Sequence, residues 1–190
     1  MNPEFNGRGY FQAHQNARKP GSRFGKDGEA MIHSNTQAFC HRLNRRANAW
    51  AAIRGGQDYP RLLGSLKFFQ TQAGVLVLAE VWGLPSQEKN PSGFFGFHIH
   101  SGGGCGRTGE MEFGEAEGHL NPTGVPHPEH MGDLPPLFAK NGYAWTVFLT
   151  SRFTIRDILG RTVILHASPD NFTSQPSGNA GKMIACGVIR

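Results

Sequence analysis

No apolar run in this 190-residue chain approaches the roughly 18–20 residues that a helix needs to cross a bilayer. Membrane insertion by a helix is therefore not expected. The first thirty residues also lack the apolar core of a secretory signal, so the encoded start by itself points to a cytoplasmic location. Charge is sparse at 17%, apolar residues reach only 38%, and long apolar stretches of helical period are missing. These shortages exclude a helix bundle or a coiled coil. What is plentiful is glycine (26) and proline (12), which points to a loop-rich β domain of ordinary size.

Charge is also unevenly placed. Residues 1–47 hold eight Lys/Arg (Arg8, Arg18, Lys19, Arg23, Lys26, Arg42, Arg45, Arg46) against Glu4, Asp27 and Glu29, a net of +5. Residues 48–190 hold eleven of each sign, so the formal charge of the whole chain resides in the first 47 residues. Those basic residues are scattered through a Gly/Asn/Gln-rich segment and match no nucleic-acid-binding motif, so no specific nucleic-acid partner is expected. The predicted organisation is a solvated, disordered basic extension over 1–47 followed by one domain over 48–190.

From Asn48 onward, short segments rich in β-branched, aromatic or alternating apolar residues predict strands. They are Ala49 to Ile53, Leu62 to Gln72, Val75 to Trp82, Gly93 to His100, Ala144 to Phe153, Thr162 to His166 and Met183 to Ile189. Turn signals at Gly55-Gly56, Ala73-Gly74 and Leu84-Pro85 separate them, as an antiparallel sandwich or barrel requires. Two long stretches break the rhythm, Ser101 to Gly142 and Ala167 to Lys182. Loops of that length within a single domain usually carry function.

The histidines fall where such loops would build a site. Six lie beyond residue 48: His98, His100, His119, His127, His130 and His166, each at a strand end or in the long loop. His98-Ile99-His100 alternates on a predicted strand, so both imidazoles project from one face. His166 can approach from the end of a second strand. His127, His130 and Asp133 recur at three-residue steps, with His119 upstream. Three imidazoles and a carboxylate form a closed zinc site, whereas an all-imidazole set suits copper or zinc. The histidines by themselves thus point to two adjacent metals.

In order, the chain carries Gly96-Phe97-His98-Ile99-His100, Gly118-His119-Leu120-Asn121-Pro122, His130-Met131-Gly132-Asp133-Leu134, Gly160-Arg161-Thr162-Val163-Ile164-Leu165-His166, and Gly178-Asn179-Ala180-Gly181 through Ala185-Cys186-Gly187-Val188-Ile189. This succession resembles the copper/zinc superoxide dismutases over about residues 48–190. The resemblance implies an all-β, eight-stranded Greek-key β-barrel with two long functional loops. It implies copper on His98, His100, His119 and His166, and zinc on His119, His127, His130 and Asp133, one of each per chain. His119 would bridge the two metals and pick up a proton during turnover. Asp170 would link His98 to His127 behind the metals and hold both rings in place. The implied activity is dismutation of superoxide to dioxygen and hydrogen peroxide, by a monomer or homodimer. The alternative is a β module that binds zinc, or zinc and copper, without significant turnover.

The resemblance further implies a disulfide between Cys105 and Cys186, leaving Cys40 in the extension as a free thiol. A disulfide favours an extracytoplasmic compartment, against the reading of the encoded start. Two departures from the family pattern stand out. Met183 occupies the position of the arginine that draws superoxide toward copper, so capture is expected to be slow. Lys182 is adjacent but faces the other way on a regular strand, so only a local shift would let it compensate. The second long loop is also short, and Glu110, Glu112, Glu115 and Glu117 read most simply as a solvated acidic face, which would repel superoxide if it lay near the channel.

Overall fold

The computed structural model describes residues 41, 43 and 45–190. The expectation of a disordered extension and of a free Cys40 falls largely outside the described residues. Alternation along the sequence becomes alternation in burial. In β1 (Ala49–Gly55), Ala49, Ala51 and Ile53 are buried while Trp50, Ala52 and Arg54 face solvent. β2 (Leu63–Thr71) follows, and β3 (Gly74–Trp82) buries Val75, Val77, Ala79 and Val81 at two-residue steps. Each fully buried Val, Leu, Ile or Phe side chain contributes roughly 1.5–3 kcal/mol, so the alternation sets which face turns inward.

The expected strand Gly93 to His100 is divided into β4 (Phe94–Phe95) and β5 (Phe97–His100). Gly96 between them donates its N–H to the Ser168 carbonyl (2.8 Å) in the second long loop and accepts from the His166 N–H (2.9 Å) at the end of the strand that precedes that loop. The first long stretch likewise contains a short strand, β6 (Leu137–Phe138), which pairs antiparallel with β4. β7 (Tyr143–Thr150) ends before Phe153, and the chain turns into a one-turn helix, α1 (Ile155–Ile158), which sequence alternation did not announce. The Asp157 carboxylate accepts the Thr154 N–H at its start (2.7 Å), as a helix N-terminus requires. β8 (Thr162–His166) and β9 (Met183–Val188) complete the set among the described residues.

Seven strands form one antiparallel sheet in the order β5-β8-β9-β1-β2-β3-β7, and β4 and β6 form a second. Counting β4 and β5 as one interrupted strand gives the expected eight. Phe97 and Ile99 from one end of the large sheet and Ala144 from the other share a single hydrophobic core, so the sheet curls on itself. In β5 and β8 both faces are buried. Phe97, Ile99, Val163 and Leu165 enter the core, while His98, His100, Ile164 and His166 lie beneath the two long loops, 101–136 and 167–182.

Candidate metal centre

Backbone hydrogen bonds place the first loop against β5. Ser101 N–H reaches the Gly118 carbonyl (2.8 Å), Leu120 N–H reaches Ile99 (2.9 Å), and Ile99 N–H reaches Gly132 (2.8 Å). Leu120 and Leu134 bury their side chains in the core and pin both passes of the loop. The result sets His119 beside His100 and Asp133 beside His98 as isolated bridges. Gly132 is required here, because a Cβ would lie 2.1 Å from the Ile99 carbonyl oxygen.

The six histidines and Asp133 gather into two groups that share His119. Ligand-capable atoms of His98, His100, His119 and His166 all lie within 4.8 Å of one another, as do those of His119, His127, His130 and Asp133. The first group is nearly sealed, with His98 fully buried and His100 and His166 at 3% and 5% exposure.

The outer ring nitrogens decide what the inner ones present. His100 Nδ1 lies 2.8 Å from the Glu117 carbonyl and His166 Nδ1 3.0 Å from the Gly181 carbonyl. A carbonyl only accepts, so both Nδ1 atoms carry the proton and both Nε2 atoms keep a bare lone pair. Asp170 does the same for two further rings, with Oδ2 2.8 Å from His98 Nε2 and Oδ1 2.9 Å from His127 Nε2. Burial alone would raise the Asp170 carboxyl, but hydrogen bonds from His98, the Phe172 N–H and His127 hold it well below the usual carboxylate range. It is therefore ionised, and it receives N–H from each ring. Among the described residues, the buried side-chain polar atoms without a hydrogen-bond partner are His98 Nδ1, His100 Nε2, His119 Nε2, His127 Nδ1 and His166 Nε2. Buried lone pairs of this kind are costly unless a cation meets them.

The second group shows the same need. His127 Nδ1 stands 3.0 Å from Asp133 Oδ2 without the alignment of a hydrogen bond, so a lone pair faces a carboxylate oxygen. His119 Nδ1 lies 2.7 Å from Asp133 Oδ1, and His130 Nδ1 lies 3.4 Å from both His119 Nδ1 and Asp133 Oδ2. Tetrahedral zinc with bonds of about 2.0–2.1 Å separates its donors by about 3.3 Å, close to these spacings. The residues present thus fit a metal in each group.

Burial favours the neutral, ligating form of four of these imidazoles, His98, His100, His130 and His166. It lowers His98 despite the hydrogen bond to Asp170, and pushes both His100 and His166 down to about 3. His130 is also lowered by burial. Asp133 is raised by burial but lowered more by its hydrogen bond from His119 and by the neighbouring histidines, so it stays charged.

Against this geometry the comparisons with known proteins are direct. The profile described as copper/zinc superoxide dismutase (SODC) matches residues 62–189. The chain belongs to the copper/zinc superoxide dismutase family. A superoxide dismutase [Cu-Zn] 2 of Aquifex aeolicus (strain VF5) is 35% identical over 144 residues, covering 68% of this chain and 80% of the relative. The superoxide dismutase [Cu-Zn] of Photobacterium leiognathi is 34% identical over 142 residues, 67% of this chain and 79% of the relative. The solved Cu/Zn superoxide dismutase from Brucella abortus has the same fold, with a TM-score of 0.65 at 24% identity over 75% of this chain and all of that one. The all-β fold inferred from alternation and resemblance is the fold of the family.

Cys105 and Cys186 form a disulfide that ties the first loop to β9. Other supports carried no signal in the sequence. Gln175 clasps the His127 backbone, its Oε1 accepting the N–H (3.0 Å) and its Nε2 donating to the carbonyl (2.7 Å). Arg152 donates to the carbonyls of Pro128 and His130, both at 2.8 Å. Neither is a ligand type in a recognisable spacing, so only the fold exposes them. Met183 is the antiparallel partner of His166 after a bulge and lines the cavity that ends on His100, His119 and His166. Lys182 lines the same cavity, yet its ammonium is paired with Asp58 and lies 5.8 Å from the centre of the Tyr59 ring. Glu110, Glu112 and Glu117 line it too.

Proposed function

We propose that this protein dismutates superoxide, oxidising one to dioxygen and reducing a second, with two protons, to hydrogen peroxide. Copper would be held by His98, His100, His119 and His166, and zinc by His119, His127, His130 and Asp133. The observation that carries the reading is the set of buried, unpartnered inner nitrogens of His98, His100, His127 and His166, each on a ring whose outer nitrogen is engaged, together with the unpartnered Nε2 of the shared His119. When bound, copper supplies reversible one-electron exchange with superoxide and zinc a fixed positive charge beside Asp133. His119 is the ring shared by both groups. It can hold a proton at Nε2 while Nδ1 stays on the Asp133 side. Asp170 orients His98 and His127 together, so the two groups are held as one unit. Counting metals on the purified protein and following superoxide consumption tests this. One copper and one zinc per chain with sustained turnover support it, and zinc alone without turnover rejects it.

Turnover is slow in this reading, because Met183 leaves the cavity without a fixed guanidinium beside His166 and the Lys182 charge is engaged with Asp58. The same observation favours the second reading, a metal-binding β module with little turnover. Met183→Arg separates them. In copper-loaded protein we expect it to raise kcat/KM and to make the rate fall more steeply with salt, while leaving metal content unchanged. If neither rate nor salt dependence moves, residue 183 has no part in substrate capture.

A further inference from the structure

The cavity over the first histidine group has the wrong lining for an anion. It measures about 840 Å³ and is walled by four carboxylates, Asp58, Glu110, Glu112 and Glu117, against two cations, Arg107 and Lys182. Asp58 and Lys182 neutralise one another. The Arg107 guanidinium is bound to the Glu110 carbonyl oxygen (2.8 Å). The remaining negative excess concentrates cations in the cleft. Two thioethers share the same wall, Met111 and Met183. Met111 is 61% exposed, high for a large apolar side chain, and a backbone bridge to Thr108 holds it in place. Met183 is the cross-strand partner of His166, so the two side chains leave the sheet on the same face. The disulfide joins the segments that carry these thioethers, Met111 six residues after Cys105 and Met183 three before Cys186. Beneath them, His100 and His166 present their unpartnered Nε2 atoms, both residues more than nine-tenths buried.

We propose that Met111 and Met183 form a capture site for cuprous copper, from which the ion passes to His166 and the other imidazoles. Thioethers are soft, neutral ligands that select Cu(I) and carry no proton that must leave. The acidic wall draws the cation in, Met111 meets it at the lip, and Met183 delivers it beside His166 Nε2. Transfer is an exchange of dative bonds with no change of oxidation state. The residue that weakens superoxide capture at 183 thereby serves metal loading. This inference rests on the assignment of copper to the histidine group containing His166.

The test uses the zinc-loaded, copper-free full chain, with Cu(I) delivered anaerobically from a bicinchoninate complex and Cu(II) delivered as a glycine complex. We expect Met111→Leu and Met183→Leu each to slow Cu(I) uptake about tenfold, with Cu(II) uptake and final copper content unchanged. Leucine keeps the apolar volume, and Met111 is exposed, so retained zinc content in both variants certifies the fold. Equal Cu(I) uptake rates in parent and variants would overturn the proposal, as would equal slowing of Cu(I) and Cu(II). Failure of the copper-loaded protein to consume superoxide would instead reject the dismutase reading and leave the uptake result standing.

Discussion

Asp170 shows how a single carboxylate organises two groups of candidate metal ligands. Its two oxygens receive N–H from His98 and His127, one ring from each group, at 2.8 and 2.9 Å. Both rings thereby have a fixed tautomer, and both turn a lone pair inward. Asp170→Asn leaves only one acceptor oxygen for the two rings. We expect copper and zinc affinities to fall about 10–100-fold, measured by chelator competition. Unchanged affinities would reduce Asp170 to a loop residue. His100 and His166 make a second prediction at this scale. Burial holds both down to about 3, from an ordinary value of 6.5. In the metal-free protein the unfolded chain therefore binds more protons than the folded one between those limits. Their contribution to stability is full above about pH 6.5 and is lost as pH falls toward 3, with a slope of up to about 1.4 kcal/mol per pH unit for each group. Denaturant midpoints of metal-free protein at pH 8, 6 and 5 check this, and a flat series would refute it.

Among the elements, the first long loop matters most, because it brings His119, His127, His130 and Asp133 to β5. It is held by backbone bonds that need close approach, above all at Gly132, where the Ile99 carbonyl leaves no room for a side chain. Gly132→Ala must push the loop off β5 and carry Asp133 with it. We expect zinc affinity to fall at least about tenfold, since displaced ligands lose their geometry, with strand content by circular dichroism unchanged. Retained zinc affinity would show that the loop has another anchor strong enough to absorb the shift. The second loop contributes the backbone carbonyl of Gly181 to His166 and the Gln175 clasp to His127. Each loop thus fixes rings that another element carries.

For the whole molecule, the disulfide is the covalent tie between loop and barrel. Cys105 and Cys186 are separated by 81 residues, a loop whose closure removes about 4–5 kcal/mol of chain entropy from the unfolded state by the loop-length relation. Replacing both cysteines by serine is expected to lower the melting temperature by roughly 10 °C. A shift of under about 2 °C would mean that the backbone bonds alone hold the loop. The cavity wall includes Arg107, Met111 and Glu112 from the tethered loop, so the same variant should also broaden the mouth of the cleft and raise the mobility of Met111 by NMR.

Sequence alone determined the main strands, though not the short β6, and the residue types available for metal. Alternation at period two is a property of the extended backbone, so His98, Ile99 and His100 had to divide between two faces, and Ile99 had to take the core. The ordered histidine motifs also identified the family. Only the tertiary structure decided the break at Gly96, the short α1, and the path that brings His119 to β5. It alone revealed the carbonyls of Glu117 and Gly181 as the groups that set the tautomers of His100 and His166. Backbone carbonyls are common to every residue and leave no mark in composition or spacing. The charge of the cavity wall was equally hidden, because Asp58, Glu112 and Lys182 are distant in the chain and meet only where the loops close over the sheet. Periodicity is local and can be read along the chain, whereas the path of a loop depends on contacts between segments far apart in it.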